Sequence, residues 1–160
     1  MAHQEGIALM QAAPEDVEQL CTSLQQFNRA YTTGGAESEL RMVARDASGA
    51  LLGGILAEVA LGWLEIHVLW VEPAQRSTGL GSTLLEACER HALELGAYAA
   101  RLDTFDWQAE GFYARHGYAV FARLGDYPPG HERVFMSKRL QQPPAEERSE
   151  PPSVALHKCR

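Results

Sequence analysis

The sequence predicts one α/β (α+β) domain in which helices cover the faces of a mixed β-sheet. Two observations predict this class. Strand-like and helix-like segments follow the order β-α-β-β-β-α-β-α-β-β, and the two longest helical segments carry apolar stripes with three- and four-residue spacing. The chain has 160 residues, of which 46% are hydrophobic and 22% charged, an ordinary composition for a single globular domain.

Alternating and β-branched apolar runs predict strands over residues 7–10, 40–44, 51–59, 64–71, 97–104, 118–124 and 133–140. Helical spacing predicts helices over 14–29, 79–96 and 108–116. The Asp-Ala-Ser-Gly sequence at 46–49 has turn chemistry, so it is expected to join the second and third strands into a hairpin. Pro73 follows the fourth strand and ends it.

Each long helix has start or stop signals as well as a stripe. Pro14 suits a first helical position, and acids follow it in the first turn. Gly96 suits the end of the second helix. The first stripe comprises Val17, Leu20, Cys21, Leu24 and Phe27, and the second comprises Leu80, Leu84, Leu85, Cys88, Ala92 and Leu95.

The charge and composition exclude several classes of protein. The formal net charge is −7 and the chain has no Lys/Arg cluster, so we expect no nucleic-acid partner. No apolar run approaches the roughly 20 residues that span a bilayer, and the N-terminal stretch lacks the pattern of a secretory signal. The three cysteines lack CxxC spacing, which argues against a disulfide scaffold or a zinc site. We therefore expect a cytoplasmic protein without a membrane partner or a bound metal.

Residues 141–160 differ in composition from the rest of the chain. They contain four prolines, and their only sizeable apolar side chains are Val154 and Leu156. Such a segment buries too little apolar area to offset its ordering entropy, so we predict a flexible Pro-rich tail after a domain over 1–140. Three acids cancel three bases in the tail, so the net charge of −7 belongs to the domain.

The segment between Val71 and Ser82 is predicted to bind a pyrophosphate or a similar anion. A strand ends there and a helix begins, and the first turn of a helix has unpaired N–H groups and a partial positive charge. Gly79 and Gly81 allow close approach of the backbone, and Arg76 adds a fixed charge. The hydroxyl groups of the segment belong to Ser77, Thr78 and Ser82. An ordinary strand–helix turn is the alternative, whereas P-loop and dinucleotide fingerprints do not fit.

Two motifs in this region resemble signatures of the GNAT superfamily of N-acetyltransferases. The coenzyme A pyrophosphate motif R/Q-x-x-G-x-G/A is matched by Arg76-Ser77-Thr78-Gly79-Leu80-Gly81. The motif A-x-x-F-Y-x-x-x-G-F/Y is matched by Ala109-Glu110-Gly111-Phe112-Tyr113-Ala114-Arg115-His116-Gly117-Tyr118. Ser77 replaces a glycine that members often carry, and Asp106 stands where many members have asparagine. The resemblance covers about residues 5–140 and implies a GNAT-like, mostly antiparallel central sheet of about six to seven strands, flanked by three to four helices.

The resemblance implies an N-acetyltransferase that moves an acetyl group from acetyl-CoA to a primary amine by direct attack in a ternary complex. The acceptor would be a small molecule or a peptide or protein amine. The implied coenzyme-binding residues are Leu69, Val71, Arg76, Ser77, Thr78, Gly79, Leu80, Gly81, Ser82, Asp106 and Phe112. Tyr113 would protonate the departing thiolate, with a purely packing role as its alternative. A coenzyme A-binding sensor or regulatory domain without catalysis is the alternative function.

The general base has three candidates. Glu65 and His67 are two residues apart on one strand, so their side chains are expected to share a face, together with those of Trp63, Leu69 and Val71. Either side chain could deprotonate an amine, or both could form a structural pair or face a wet cleft. Asp103, at the end of its strand, is the third candidate.

The loop over 125–131 is a candidate lid on the acceptor side. Asp126, Tyr127 and His131 could recognise a cationic amine, and a simple connector between two strands is the alternative. The sequence does not identify the acceptor, the acyl group or the oligomeric state, although members of the superfamily often form homodimers.

Overall fold

The computed structural model of the chain describes residues 7–32 and 37–141. The helices are α1 (Pro14–Asn28), α2 (Leu80–Glu94) and α3 (Glu110–Arg115), with a 3-10 turn at Pro73–Gln75. The strands are β1 (Ser38–Arg45), β2 (Leu51–Ala60), β3 (Trp63–Val71), β4 (Ala99–Phe105), β5 (Ala119–Gly125) and β6 (Glu132–Arg139). No helix in this part of the chain is long and apolar enough to cross a bilayer. The predicted tail lies outside the described residues from 142 onward.

The predicted fold class is confirmed, but the strand predicted over residues 7–10 is wrong. These residues have no regular structure and are exposed, with Leu9 at 98%. A four-residue apolar run needs a neighbouring strand to pair its backbone groups, and no described strand pairs with it. The other predicted elements are all present, and their ends differ from the prediction by no more than two residues.

The six strands form one sheet in the order β1-β2-β3-β4-β6-β5. Every neighbouring pair is antiparallel except β3 and β4, which are parallel. Only four residue pairs join those two strands, from Trp63 with Ala99 to Ile66 with Leu102. Beyond Ile66 the edge of β3 that faces β4 is unpaired, so the centre of the sheet opens there.

Helix α2 packs on one face of the sheet and supplies much of the core. The largest fully buried side chains are those of Ile55, Leu64, Leu85, Met136, Val134 and Cys88. Cys88, which belongs to the predicted apolar stripe of this helix, thus lies in the core. Burial raises the pKa of its thiol to about 11, which keeps the sulfur protonated and unreactive near neutral pH.

Helix α1 begins at the predicted proline but does not bury its apolar stripe. The N–H of Ala13 donates to the carboxylate of Asp16 at 2.8 Å, which caps the first turn. The stripe residues Val17, Leu20, Leu24 and Phe27 are all exposed. The helix is therefore specified locally, by its sequence, rather than by packing on the sheet.

Candidate active site

A β-bulge at His67 determines which side chains of β3 face the core. Ile66 pairs with Ala57 and Val68 pairs with Leu56, so His67 is an extra residue without a partner in β2. The extra residue reverses the alternation, because each strand residue normally points to the opposite face from its neighbour.

The prediction that Glu65 and His67 share a face with Leu69 and Val71 is therefore wrong. Before the bulge Leu64 and Ile66 are buried, and after it Leu69 and Val71 pack against the same core cluster. Glu65 thus lies on the face opposite to Leu69 and Val71. Simple alternation could not reveal this, because the inserted residue leaves no mark in the hydrophobic pattern.

The bulge and the opening between β3 and β4 produce a cleft with a volume of about 970 Å³. The second half of β3 and the end of β4 form its sides, and the starts of α2 and α3 close it. Its lining residues include His67, Val68, Leu69, Trp70, Val71, Gln75, Arg76, Ser77, Gly79, Gly81, Ser82, Asp103, Thr104, Trp107, Gln108, Ala109, Phe112, Tyr113, Arg115 and His116.

The segment from Arg76 to Ser82 forms the cradle at one end of this cleft. Ser77 and Gly79 have φ angles of 65° and 93°, in the left-handed region, which turns the chain tightly into α2. The Arg76 Nε donates to the carbonyl of Val71 at 3.2 Å, which holds the guanidinium at the cleft. A Cβ on Gly81 would lie 3.4 Å from the Phe112 ring, so α2 and α3 pack closely here.

Two residues assigned to the cradle from sequence do not line the cleft. The Thr78 hydroxyl donates to the carbonyl of Gln75 at 2.7 Å, so it closes the turn instead of pointing at a ligand. Leu80 packs against the core. Both remain in the cradle as parts of its backbone.

The cradle end of the cleft holds two arginines without acidic partners. Arg76 and Arg115 both line the cleft, and no carboxylate of residues 7–32 or 37–141 lies within 4.0 Å of either guanidinium. Two free cations beside the N-terminus of a helix create a local positive potential in an acidic chain. Arg115 was missed from sequence, although it lies inside the second motif, two residues after Tyr113.

His116 joins the two helices at this end and was also missed. Its Nδ1 lies 2.8 Å from the carbonyl of Phe112, and its Nε2 lies 2.9 Å from the Ser82 hydroxyl. The ring also packs on Phe112 with centroids 4.4 Å apart. The i to i+4 spacing of Phe112 and His116 on a helix was the available signal, but the contact with Ser82 depends on tertiary structure.

Tyr113 lines the same cleft as the cradle, and the part of the cleft lined by His67, Asp103 and Trp107 is called the open end. Its side chain is buried between Phe112 and Tyr118, with edge-on ring contacts at 5.2 and 5.8 Å. Burial raises the pKa of its phenol to about 12, because the charged form is poorly solvated. The phenol is therefore a neutral proton donor throughout the physiological pH range.

The three candidate bases lie in different surroundings. Glu65 forms an ion pair with Arg101 of the adjacent strand and does not line the cleft. Asp103 lines the cleft and is ion-paired with Arg133. His67 lines the cleft too, and its Nε2 lies 3.7 Å from a Glu58 carboxylate oxygen, which is too long for a hydrogen bond.

Asp106 holds the loop over 126–131 instead of reaching the cleft. Its carboxylate accepts from the N–H of Glu132 at 3.2 Å and contacts the Nδ1 of His131 at 3.1 Å. The assignment of Asp106 to the coenzyme site is therefore corrected to a role in positioning the loop. Sequence similarity placed the residue correctly along the chain but could not show where its side chain points.

The candidate acceptor residues of that loop lie behind the wall of the cleft. The Tyr127 hydroxyl accepts from Arg133 at 3.0 Å, and the Asp126 carboxylate accepts from the N–H of Gly130 at 3.3 Å. His131 contacts the Trp107 ring edge-on at 4.6 Å. Asp126, Tyr127 and His131 do not line the cleft, whereas Trp107 does. The loop thus supports the Trp107 side of the cleft.

The fold and this site define an α/β domain with two cleft-lining arginines beside a helix N-terminus, a split between the two parallel central strands, and a buried phenol in the same cleft. Residues 8–118 match the model of the acetyltransferase (GNAT) family. The chain belongs to this family, and it is an acyltransferase. No cluster of three or more metal-ligating side chains occurs within the described residues.

Known proteins show how far the similarity extends. The blasticidin-S acetyltransferase of Streptomyces morookaense is 41% identical over 93 residues, which are 58% of this chain and 68% of that protein. An acetyltransferase crystal structure from Bacillus cereus ATCC 14579 has a TM-score of 0.79 at 30% identity, and covers 83% of this chain and 97% of its own. An aminoglycoside 6'-N-acetyltransferase crystallised with coenzyme A has a TM-score of 0.60 at 18% identity, with 83% and 84% covered.

Proposed function

We propose that this protein transfers the acetyl group of acetyl-CoA to a primary amine by direct attack in a ternary complex. The observation that carries the proposal is the single cleft that joins the cradle, the Tyr113 phenol and the His67 imidazole. Both substrates would occupy this cleft together, which places the amine and the thioester in contact.

The coenzyme would enter along the opening of the sheet. Its pyrophosphate would lie on the N-terminus of α2, between the unpaired guanidinium groups of Arg76 and Arg115. Its pantetheine arm would pair with backbone groups of β3 near Leu69 and Val71, where β4 no longer pairs with that edge. A backbone N–H at this edge would polarise the thioester carbonyl.

The proton transfers need an acid and a base on the two sides of the thioester. Attack of the amine nitrogen on the carbonyl carbon forms the amide bond, and collapse of the intermediate breaks the C–S bond. Tyr113 would give its phenolic proton to the departing thiolate and regain one from solvent. The phenol remains neutral at the pH where a free thiol begins to ionise, near 8.5, so it is the donor form that is present.

We assign the general base to His67. Its imidazole lines the cleft and has no hydrogen-bonded partner among the described residues, so a ring nitrogen is available to take a proton from the amine. The Asp103 carboxylate is already paired with Arg133, and Glu65 lies outside the cleft lining. Asp103 would instead attract the cationic form of the acceptor to the open end.

The wall of the open end favours an acceptor with a flat apolar body. Trp107 lines the cleft and is half exposed, and the Phe105 ring stacks behind it at 4.5 Å with an interplanar angle of 5°. Such a rigid aromatic pair offers a large surface for a ring system. Together with Asp103, it suits a small cationic amine carried on a ring. The substrate named for the Streptomyces relative, blasticidin S, is one candidate to test.

A panel of amines tests this function directly. The protein is mixed with acetyl-CoA and blasticidin S, an aminoglycoside, a polyamine or a peptide N-terminus, and free thiol is followed over time. Thiol release above the hydrolysis background with at least one amine is the expected result. Tight coenzyme binding with no release for any amine would contradict the proposal and favour a coenzyme A sensor.

A further inference from the structure

The His116–Ser82 contact has a defined proton arrangement. A carbonyl oxygen can only accept, so the Nδ1 of His116, at 2.8 Å from the Phe112 carbonyl, carries a hydrogen. In a neutral imidazole Nε2 then carries a lone pair and no hydrogen. The Ser82 hydroxyl, 2.9 Å away, must donate its only hydrogen to that lone pair.

This arrangement conflicts with a phosphate ligand. Ser82 is the third residue of α2 and lines the cleft, beside the N–H groups of the helix N-terminus. With its hydrogen directed at His116, the hydroxyl presents only lone pairs to the cleft. Phosphate oxygens are also acceptors, so Ser82 would repel a pyrophosphate instead of binding it.

We propose that His116 is a positioning residue that takes up a proton when the coenzyme pyrophosphate binds. In the imidazolium form Nε2 donates to the Ser82 oxygen, and the Ser82 hydrogen turns to the phosphate. A chain of hydrogen bonds then runs from the Phe112 carbonyl through His116 and Ser82 to the phosphate. Each contact in it has one donor and one acceptor. This inference rests on the proposed function, because the ligand it requires is the pyrophosphate of coenzyme A.

The charges around His116 are consistent with a counter-ion supplied by the ligand. On α3 its neighbours are Arg115 and Tyr113, and the loop before α2 contributes Arg76 to the same cleft. The titratable groups on the nearby turns of α2 are Glu86, Glu89 and Cys88; Glu89 is held by Lys138 and by the Tyr118 hydroxyl.

No carboxylate within residues 7–32 or 37–141 lies within 4.0 Å of the His116 ring nitrogens. In the free protein an imidazolium would therefore contact no acidic side chain of the described residues, whereas a bound pyrophosphate would supply its counter-ion through the Ser82 hydroxyl.

Linkage gives the direction of the effect. If binding raises the pKa of His116, the complex holds one more proton than the free protein, so affinity rises as the pH falls. A full proton taken up corresponds to about a tenfold change in Kd per pH unit between the free and bound pKa values. We expect the Kd to be about tenfold lower at pH 6.0 than at pH 8.5.

The experiment measures Kd by calorimetry at pH 6.0, 7.0 and 8.5 with 3'-dephospho-coenzyme A. This probe keeps the pyrophosphate and lacks the phosphate monoester, whose second proton titrates near pH 6. The variants are His116→Asn and Ser82→Ala. The control is His91→Asn, because His91 makes the same contact from Nδ1 to the carbonyl four residues earlier, at 3.0 Å, on the exposed face of α2.

Wild type and His91→Asn are expected to share the pH dependence, and both other variants are expected to lose it. On the wild-type protein, NMR of the His116 ring is expected to show its pKa rising when the ligand saturates the site. An unchanged pH dependence in His116→Asn and Ser82→Ala, or an unchanged His116 pKa, overturns this inference while leaving the proposed function intact. Failure of the wild type to bind the probe at every pH overturns both.

Discussion

The two ends of the cleft differ in whether their charged side chains have ion-pair partners. At the cradle end Arg76 and Arg115 face the cleft without acidic partners among the described residues. At the open end Asp103 is paired with Arg133, and His67 lies 3.7 Å from Glu58. A ligand with several negative charges is attracted by free cations from a distance, whereas a paired carboxylate such as Asp103 acts mainly on a group that contacts it directly.

This difference explains how a chain with a net charge of −7 can be suited to an anionic coenzyme. The positive potential is local, made by two side chains and a helix N-terminus. In the proposed function the open end would contribute proton transfer, shape and an aromatic surface. Coenzyme affinity and acceptor chemistry should therefore respond to different substitutions.

Tyr113→Phe should have the largest effect, although Tyr113 belongs neither to the cradle end nor to the open end of the cleft. Loss of the phenolic proton is expected to lower turnover about a hundredfold, with little change in coenzyme Kd. Because the pKa of the phenol is raised to about 12, Tyr113 should cause no loss of wild-type turnover up to about pH 10. The measurements are turnover from thiol release and Kd from calorimetry.

The matched control is Tyr98→Phe, since the Tyr98 hydroxyl accepts from the indole of Trp63, away from the cleft lining. It should leave turnover near the wild-type value. Equal turnover in Tyr113→Phe and wild type would remove Tyr113 from the mechanism.

His67→Gln tests the open end. It is expected to lower kcat/KM tens of fold or more, because the glutamine side chain has no basic nitrogen that can take the proton from the amine. Glu65→Gln is the comparison, since Glu65 is two residues away on the same strand but outside the cleft lining. Its kcat/KM should stay within a few fold. A larger loss in Glu65→Gln than in His67→Gln would reverse our assignment of the base.

Arg76→Gln tests the cradle end. Removal of one charge-assisted contact to phosphate is expected to raise the coenzyme Kd by about tenfold or more, while kcat at saturating coenzyme changes little. The loss should shrink in high salt because screening weakens the charge. Arg90→Gln, on the exposed side of α2, serves as the control and should leave Kd unchanged. A change in kcat without a change in Kd would contradict the assignment of coenzyme affinity to the cradle end and of acceptor chemistry to the open end.

The last prediction concerns stability instead of activity, in the core beneath both ends. Burial raises the pKa of Cys88 from 9.0 to about 11, so the unfolded chain loses this proton first as the pH rises. The free energy of unfolding should therefore fall between pH 9 and 11, by about 1.4 kcal/mol per pH unit from this group. Urea unfolding should show a shallower pH slope for Cys88→Ala than for Cys21→Ala, which removes an exposed thiol. An identical slope in both variants would contradict the assignment.

Local sequence features predicted the elements that depend on neighbouring residues. Asp46 accepts from the N–H groups of Ser48 and Ala50, and Gly49 has a positive φ, so the hairpin turn is specified by four adjacent residues. Helix α1 is another such element, because it forms where Pro14 and Asp16 specify a start although its stripe is unburied. The cradle motif placed the start of α2 in the same way.

Elements that depend on a distant partner could not be predicted in this way. The run at 7–10 has strand-like composition but no described neighbour to pair with. The bulge at His67 depends on the register between β2 and β3, which alternation alone does not contain. For the same reason the faces of Glu65 and Leu69 were assigned incorrectly.

By itself, the sequence determined the class of fold, the family and the position of the cradle along the chain. Helix starts, turns and motif spacing depend on residues that are close together in the sequence. Tertiary structure alone decided that Asp106 holds a loop, that Glu65 is paired with Arg101, and that His116 meets Ser82 across 34 positions of chain. The direction of a side chain depends on the strand register and helix packing around it. These arise from burial summed over the whole core, and no local pattern encodes them.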